Sequence, residues 1–140
     1  MSETIKQQKV LMMCGSSQTV INFRMGLIRA FQAKDINVSV VALDDDYKDD
    51  IIAKGIEFFC VNTQNRSLNP FGMKKLQKQY FSIIQTVHPD IVFTFMLKPN
   101  IFGTRAAKQV GVEKIFSMVE GAGDVFINNG LKWKLIRAVV

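Results

Sequence analysis

The stretch KVLMMCGSSQTVINFR, residues 9–24, decides how the chain is read. Its first part, Lys9 to Cys14, is an almost unbroken apolar run. Such a run marks a strand covered on both faces, as in a parallel sheet. The run stops at Gly15-Ser16-Ser17, and a helical pattern begins almost at once. A glycine and two small hydroxyls before a helix leave backbone N–H groups open to an anion. The same residues also read as a tight strand–helix turn capped by Ser17 or Thr19. For Gly15 itself the choice lies between room for a ligand and a backbone with positive φ.

Outward from this stretch the pattern alternates. Helical spacing covers Val20–Lys34, with Val20, Ile21, Leu27, Ile28 and Phe31 apolar. A second strand is expected over Val38–Leu43, a short helix over Tyr47–Lys54 closed by Gly55, and a third strand over Ile56–Val61. The longest helix is expected over Met73–Val87, where Met73, Leu76, Tyr80, Ile83, Ile84 and Val87 share a face. Asp90–Phe95 and Lys114–Val119 read as strands flanking a helix over Ile101–Val110, and Leu131 opens an amphipathic helix. Strands separated by helices, with right-handed crossovers, make a doubly wound parallel α/β sheet. Ligands collect beyond the carboxyl ends of such strands. Gly15-Ser16-Ser17, Lys98-Pro99-Asn100 and Glu120-Gly121-Ala122-Gly123 all follow strands and belong to that rim.

A chain of 140 residues fits one domain with a substantial core. Its apolar content is 48%, yet no run reaches the roughly 18–20 residues of a membrane span. The first residues are polar and do not form a signal peptide. Cys14 and Cys60 fall in strand-like runs and read as buried thiols of a reducing compartment, so a cytoplasmic location is expected. The net charge is +6 and unevenly spread. From Phe58 to Pro89 there are Arg66, Lys74, Lys75 and Lys78 and no acid; after Asp124 come Lys132, Lys134 and Arg137. Such clusters suit an anionic partner or are simply solvating lysines.

The motifs exclude more than they assign. A dinucleotide fingerprint needs G-x-G-x-x-G, and here the loop has one glycine, although Asp44 does end the second strand. Asp44-Asp45-Asp46-Tyr47-Lys48-Asp49-Asp50 places five carboxylates in seven residues. That run reads as a solvated turn with acids at a helix start rather than a hard-cation site. His88 is the one histidine, so neither a zinc hydrolase nor a Ser-His-Asp triad is supported. No nucleic-acid-binding module is visible. The seven methionines read as core or helix-face filler.

Four stretches together resemble the amino-terminal domain of family-4 glycosyltransferases of the GT-B fold, of the type that assembles bacterial capsule, O-antigen and related glycans. They are Gly15–Arg24; Arg66-Ser-Leu-Asn-Pro70; His88 to Gly103; and Val119-Glu-Gly-Ala-Gly-Asp-Val-Phe126. The resemblance implies a Rossmann-like domain over 1–140, the acceptor side of a two-domain enzyme. Its donor-binding domain would lie beyond this chain, because the last helix runs to Val140 without a stop signal. The implied enzyme moves a sugar from a nucleotide-sugar donor, with retention of configuration, to a lipid-linked glycan acceptor. This domain alone would be inactive. The cleft loop Gly15, Ser16 and Ser17 would face the donor phosphates, where leaving-group charge develops. Asn22, Arg24, Arg66, Lys98, Asn100, Glu120, Gly121 and Gly123 would line the acceptor site, the two glycines admitting a sugar close to the backbone. No metal or other cofactor is implied. The strand Val92-Phe93-Thr94-Phe95 lacks the histidine that many relatives carry there, and the catalytic residues stay unassigned. An anionic membrane surface is a further implied partner, met by Leu131, Leu135 and Val139 beside Lys132, Trp133, Lys134 and Arg137. The other readings are a non-catalytic subunit that recruits a partner and a nucleotide- or flavin-binding domain.

Overall fold

The computed structural model describes residues 6–61, 69–120 and 129–139. Five strands, β1 (Lys9–Met13), β2 (Asn37–Ala42), β3 (Glu57–Cys60), β4 (Ile91–Phe95) and β5 (Lys114–Met118), form one sheet in the order β3-β2-β1-β4-β5. Every neighbouring pair is parallel, with Val10 opposite both Val38 and Ile91. This is the doubly wound sheet expected from the apolar runs. The order reverses at β1, so the loops after β1 and β4 flank the switch point where such sheets bind ligands.

Helix α1 occupies residues 17–33, α2 is Lys48–Ala53, α3 is Pro70–Val87, α4 occupies residues 99–110 and α5 is Leu131–Val139. One core layer packs α1 and α2 on the sheet through Val20, Met25, Ile28 and Ile51 against Val10, Met12, Val38, Val40 and Phe95. The opposite layer packs α3 and α4 through Leu76, Tyr80, Ile84, Phe102 and Ala106 against Leu11, Met13, Val41 and Val92. Alternate residues of each strand serve alternate layers, as the two-residue period of a strand requires. The expected face of α3 is the observed one.

Three helices begin earlier than their apolar periodicity suggests, α1 at Ser17 rather than Val20. Asn69 caps α3, its side chain accepting from the Phe71 N–H at 3.1 Å, so the helix starts at Pro70 rather than Met73. Helix α4 starts at Pro99 with a π turn, Pro99–Gly103, before its α-helical part Thr104–Val110. A second π turn, Val20–Arg24, lies inside α1. The buried residues of α1 are Ser17, Val20, Met25 and Ile28, so the interval across that turn is five residues. A plain α-helix would have used the residue four after Val20, which is Arg24. The wider turn instead gives the core position to Met25 and carries Arg24 round the flank of the helix.

The cysteines divide. Cys14 is buried, as expected, and its thiol is pushed up to about 12 by burial, with Arg24 pulling the other way. Cys60 is exposed, as the last residue of the edge strand β3. This corrects the expectation of two buried thiols. Methionines are not all filler either: Met12 and Met13 are buried, whereas Met96 is 40% exposed at the end of β4. Among the described residues no helix is long and apolar enough to cross a membrane.

Candidate functional site

The carboxyl ends of β1, β2, β4 and β5 bring three polar groupings together. The first is built on Ser17, which is fully buried. Its N–H donates to Asp44 Oδ1 at 3.0 Å, its hydroxyl donates to the same oxygen, and that hydroxyl accepts from the Tyr47 N–H at 3.2 Å. The carboxylate at the end of β2 therefore occupies the start of α1. An anion at a helix N-terminus is favourable, and this protein supplies its own. The cap itself is Ser16, whose Oγ accepts from the Gln18 N–H at 3.2 Å, while Thr19 Oγ1 donates back to the Ser16 carbonyl at 2.7 Å. Neither Ser17 nor Thr19 is the cap, and the Ser17 side chain faces inward to Asp44. Of the loop, Gly15 and Ser16 remain half-buried at the rim.

Gly15 has no positive φ. A Cβ built on it would lie 2.6 Å from the Met96 sulfur and 3.2 Å from the Met96 Cβ. The glycine thus lets the loop after β1 pack against Met96, the residue that follows β4. Met96 itself has φ 72°, a left-handed backbone that costs a side-chain-bearing residue about 1–2 kcal/mol. Strain of this kind persists only where neighbours hold it, and here it lies beside the switch point.

The second grouping closes β4 onto β5. Thr94, fully buried, donates to Asn100 Oδ1 at 2.8 Å, and Asn100 Nδ2 donates to the Met118 carbonyl at 2.9 Å. Thr94 Oγ1 also lies 2.8 Å from Ser117 Oγ, which lies 3.1 Å from Thr104 Oγ1. Each hydroxyl has one proton, so the direction follows. Thr104 donates to Ser117, Ser117 to Thr94, Thr94 to Asn100 and Asn100 to the backbone. Asn100 is engaged at both ends of its amide and ties the start of α4 to β5. The Thr94, Ser117 and Thr104 hydroxyls carried no signal in the sequence beyond small polar residues in apolar runs.

The third grouping joins Arg24 to Glu120. The guanidinium pairs with the carboxylate and lies over the Phe95 ring, 4.2 Å from its centroid. Arg24 is only 12% exposed, and its Nε is buried with no hydrogen-bond partner among the described residues. Phe95 lies 4.4 Å from Phe93, which in turn lies 6.2 Å from Phe116. Helix α1 is thereby linked across β4 to the segment after β5. Of the remaining candidates, Asn22 is exposed on α1 and Lys98 is half-buried at the start of α4. Arg66, Gly121 and Gly123 lie outside the described residues. His88 lies at the opposite end of the sheet, closing α3 in a left-handed conformation with φ 50°. Among the described residues no group of three His, Cys, Asp or Glu side chains could hold a metal ion.

The family described as glycosyl transferase 4-like matches residues 9–135, and the chain belongs to it. A relative, the N,N'-diacetylbacillosaminyl-diphospho-undecaprenol alpha-1,3-N-acetylgalactosaminyltransferase of Campylobacter jejuni subsp. jejuni, is 29% identical over 122 residues. Those residues are 87% of this chain and 32% of the relative, so the chain spans about a third of the length of the curated relative it matches. Among solved structures, Acinetobacter baumannii MurG aligns with a TM-score of 0.64 at 17% identity, over 79% of this chain and 34% of its own. The UDP-GlcNAc 2-epimerase of Methanocaldococcus jannaschii aligns with a TM-score of 0.66 at 12% identity, over 94% and 36%. At such identities the likeness is one of fold: the Rossmann-like amino-terminal half of a GT-B protein.

Proposed function

We propose that this member of the glycosyl transferase 4-like family is the acceptor-side domain, over 1–140, of an enzyme that transfers a sugar from a nucleotide-sugar donor to a lipid-linked glycan acceptor. The setting would be bacterial surface-glycan assembly, capsular polysaccharide included. A donor-binding domain outside this chain would complete the cleft. The observation that carries this reading is the family match over 9–135, laid on a sheet whose switch-point rim gathers the polar groupings of Ser17, Thr94 and Arg24. The C. jejuni relative's name places its own acceptor on a diphospho-undecaprenol carrier, which supports the choice of acceptor class. On this reading Gly15 and Ser16 face the donor diphosphate. Arg24, Asn22, Glu120, Lys98, Arg66, Gly121 and Gly123 serve the acceptor, and Asn100 shapes its site from behind.

Ser17 would act through Asp44, fixing the loop whose backbone donors meet the developing charge of the leaving diphosphate. An acceptor on a lipid carrier would keep the protein at the cytoplasmic face of the membrane as a peripheral protein. The test is a transfer and donor-hydrolysis screen of the full-length protein with several nucleotide sugars and a short-chain polyprenyl-diphosphate sugar. Transfer of one sugar with this domain present, and none by the domain alone, is the expected result. A folded full-length protein that neither transfers nor hydrolyses any donor would overturn the reading.

A further inference from the structure

Among the described residues other than glycine, Asp35, His88 and Met96 have positive φ. Aspartate and histidine often take this conformation, whereas methionine does not. At Gly55 and Gly111 the same backbone region is filled by glycine, which takes it freely. At position 96 the chain keeps a long side chain instead, and the turn is fixed on both sides of it. The Met96 sulfur packs against Gly15, and its carbonyl accepts from the Asn100 N–H at 3.0 Å. Met96 and its neighbour Leu97 are each 40% exposed. Around them the two loops offer Gly15, Ser16, Lys98 and Asn100, so the pair is an apolar spot on a polar stretch of the rim. A side chain kept only for core packing would not stand so exposed on a strained backbone.

We infer that Met96, together with Leu97, is a specificity-determining residue that receives the acyl methyl of a 2-acylamino sugar on the nucleotide donor. This rests on the proposed reading in which Gly15 and Ser16 face the donor diphosphate, and it names the class of sugar transferred. The class follows from how such a donor is bonded. Its anomeric carbon carries the diphosphate, so the substituent on the adjacent C2 is among the ring groups nearest to Gly15. With Met96 packed against Gly15, a group on C2 comes to the thioether. A hydroxyl there would meet a sulfur that is only a weak hydrogen-bond acceptor. An acylamino group reaches further and places a methyl on the same surface, which gains by leaving water. Methionine is unbranched and polarisable, so it moulds itself to an irregular contact of this kind.

The experiment measures kcat/KM of the full-length protein for transfer to a short-chain polyprenyl-diphosphate sugar. Two donor pairs are compared, UDP-GlcNAc with UDP-Glc and UDP-GalNAc with UDP-Gal. The parent should favour the acylamino member of its better pair by about 10- to 100-fold. Met96→Gly should lower that ratio about tenfold, and Met96→Gln, similar in length but polar, should lower it as well. Met96→Leu should keep it. The melting temperature of Met96→Gly should stay near the parent value, because relief of the left-handed backbone offsets the lost contacts. An unchanged ratio in Met96→Gly and Met96→Gln overturns the inference and leaves the methionine a packing residue. So does a ratio that falls only in step with melting temperature across the three variants. Turnover confined to donors without an acylamino group also overturns it and leaves the transfer reading standing. A folded parent that turns over no donor at all overturns both.

Discussion

The two ends of the sheet are closed in different ways. At the amino end the contacts are short and mostly involve backbone: the Lys9 N–H donates to Asp90 Oδ2 at 2.9 Å and the Asp90 N–H to the Lys9 carbonyl at 2.9 Å. Nearby, the Gln7 amide bridges Asp35 and Asn37 side chains on the surface. At the carboxyl end the ties are drawn mainly from side chains. A carboxylate at the end of β2 holds the start of α1, hydroxyls lace β4 to β5, and an arginine crosses Phe95 to reach Glu120. The π turns of α1 and α4 lie on that carboxyl-end side too, whereas left-handed residues occur at both ends, Met96 at this one and Asp35 and His88 at the other. The amino end holds strands in register. The carboxyl end holds loops and helix starts to one another by side chains, which is how a fold shapes a site.

This contrast can be broken most directly at Asp44. Asp44→Ala leaves a fully buried Ser17 with an N–H and a hydroxyl that have lost their acceptor. We expect a loss of about 2–3 kcal/mol, and a thermal midpoint lower by roughly 8 °C. A normal midpoint with reduced sugar transfer would instead make Asp44 a ligand contact and blur the distinction.

Gly15→Val comes next. Its Cβ meets Met96, so overpacking should cost about 2 kcal/mol. Gly15→Val combined with Met96→Ala should lose less than the sum of the two single variants. Strict additivity in denaturant titrations would show that the loop does not lean on Met96. Glu120→Gln then probes the arginine tie. Removing the charge from a partly exposed pair should cost about 1–2 kcal/mol, and Arg24→Met should lose little more when made on top of it.

The smallest effect belongs to the amino end. The Lys9 backbone N–H, helped by Lys6, holds the Asp90 carboxyl below its usual range. A carboxyl lowered on folding adds stability above its unfolded value, about 3.9, and loses it as the pH falls through the folded value. Asp90→Asn should therefore cost less than about 1 kcal/mol at pH 7, and the difference from the parent should shrink below about pH 4. A cost that stays constant to pH 2 would show that shape, not charge, holds this end.

The same asymmetry governs what could be read from the sequence. Apolar runs such as Val10–Cys14 and Val38–Leu43 announce buried parallel strands, because nothing else keeps several apolar residues dry in succession. The face of α3 follows from spacing alone. At the rim Arg24 and Glu120 could be singled out through the resemblance, but their pairing could not, since about a hundred residues and four strands lie between them. Ser17 read as a cap because hydroxyls before a helix usually are caps. Only the position of Asp44 across the β1–β2 pair turns it inward. Asn100 looked available because an amide in a loop usually is, and the Thr94 hydroxyl and Met118 carbonyl that claim it come from different strands. Local rules reached the elements; the site depends on what distant elements do to one another.

The π turn of α1 has a consequence for chain length rather than for chemistry. It is an α-helix with one residue inserted, and each residue advances the helix by about 100°. Deleting any one residue between Val20 and Arg24 would put Met25 four residues after Val20, the spacing of an ordinary helix, so the core place would stay with Met25 and the arginine would stay on the flank. This stretch should therefore tolerate the loss of one residue about as well as a change of letter, so long as the phase from Val20 to Met25 is kept.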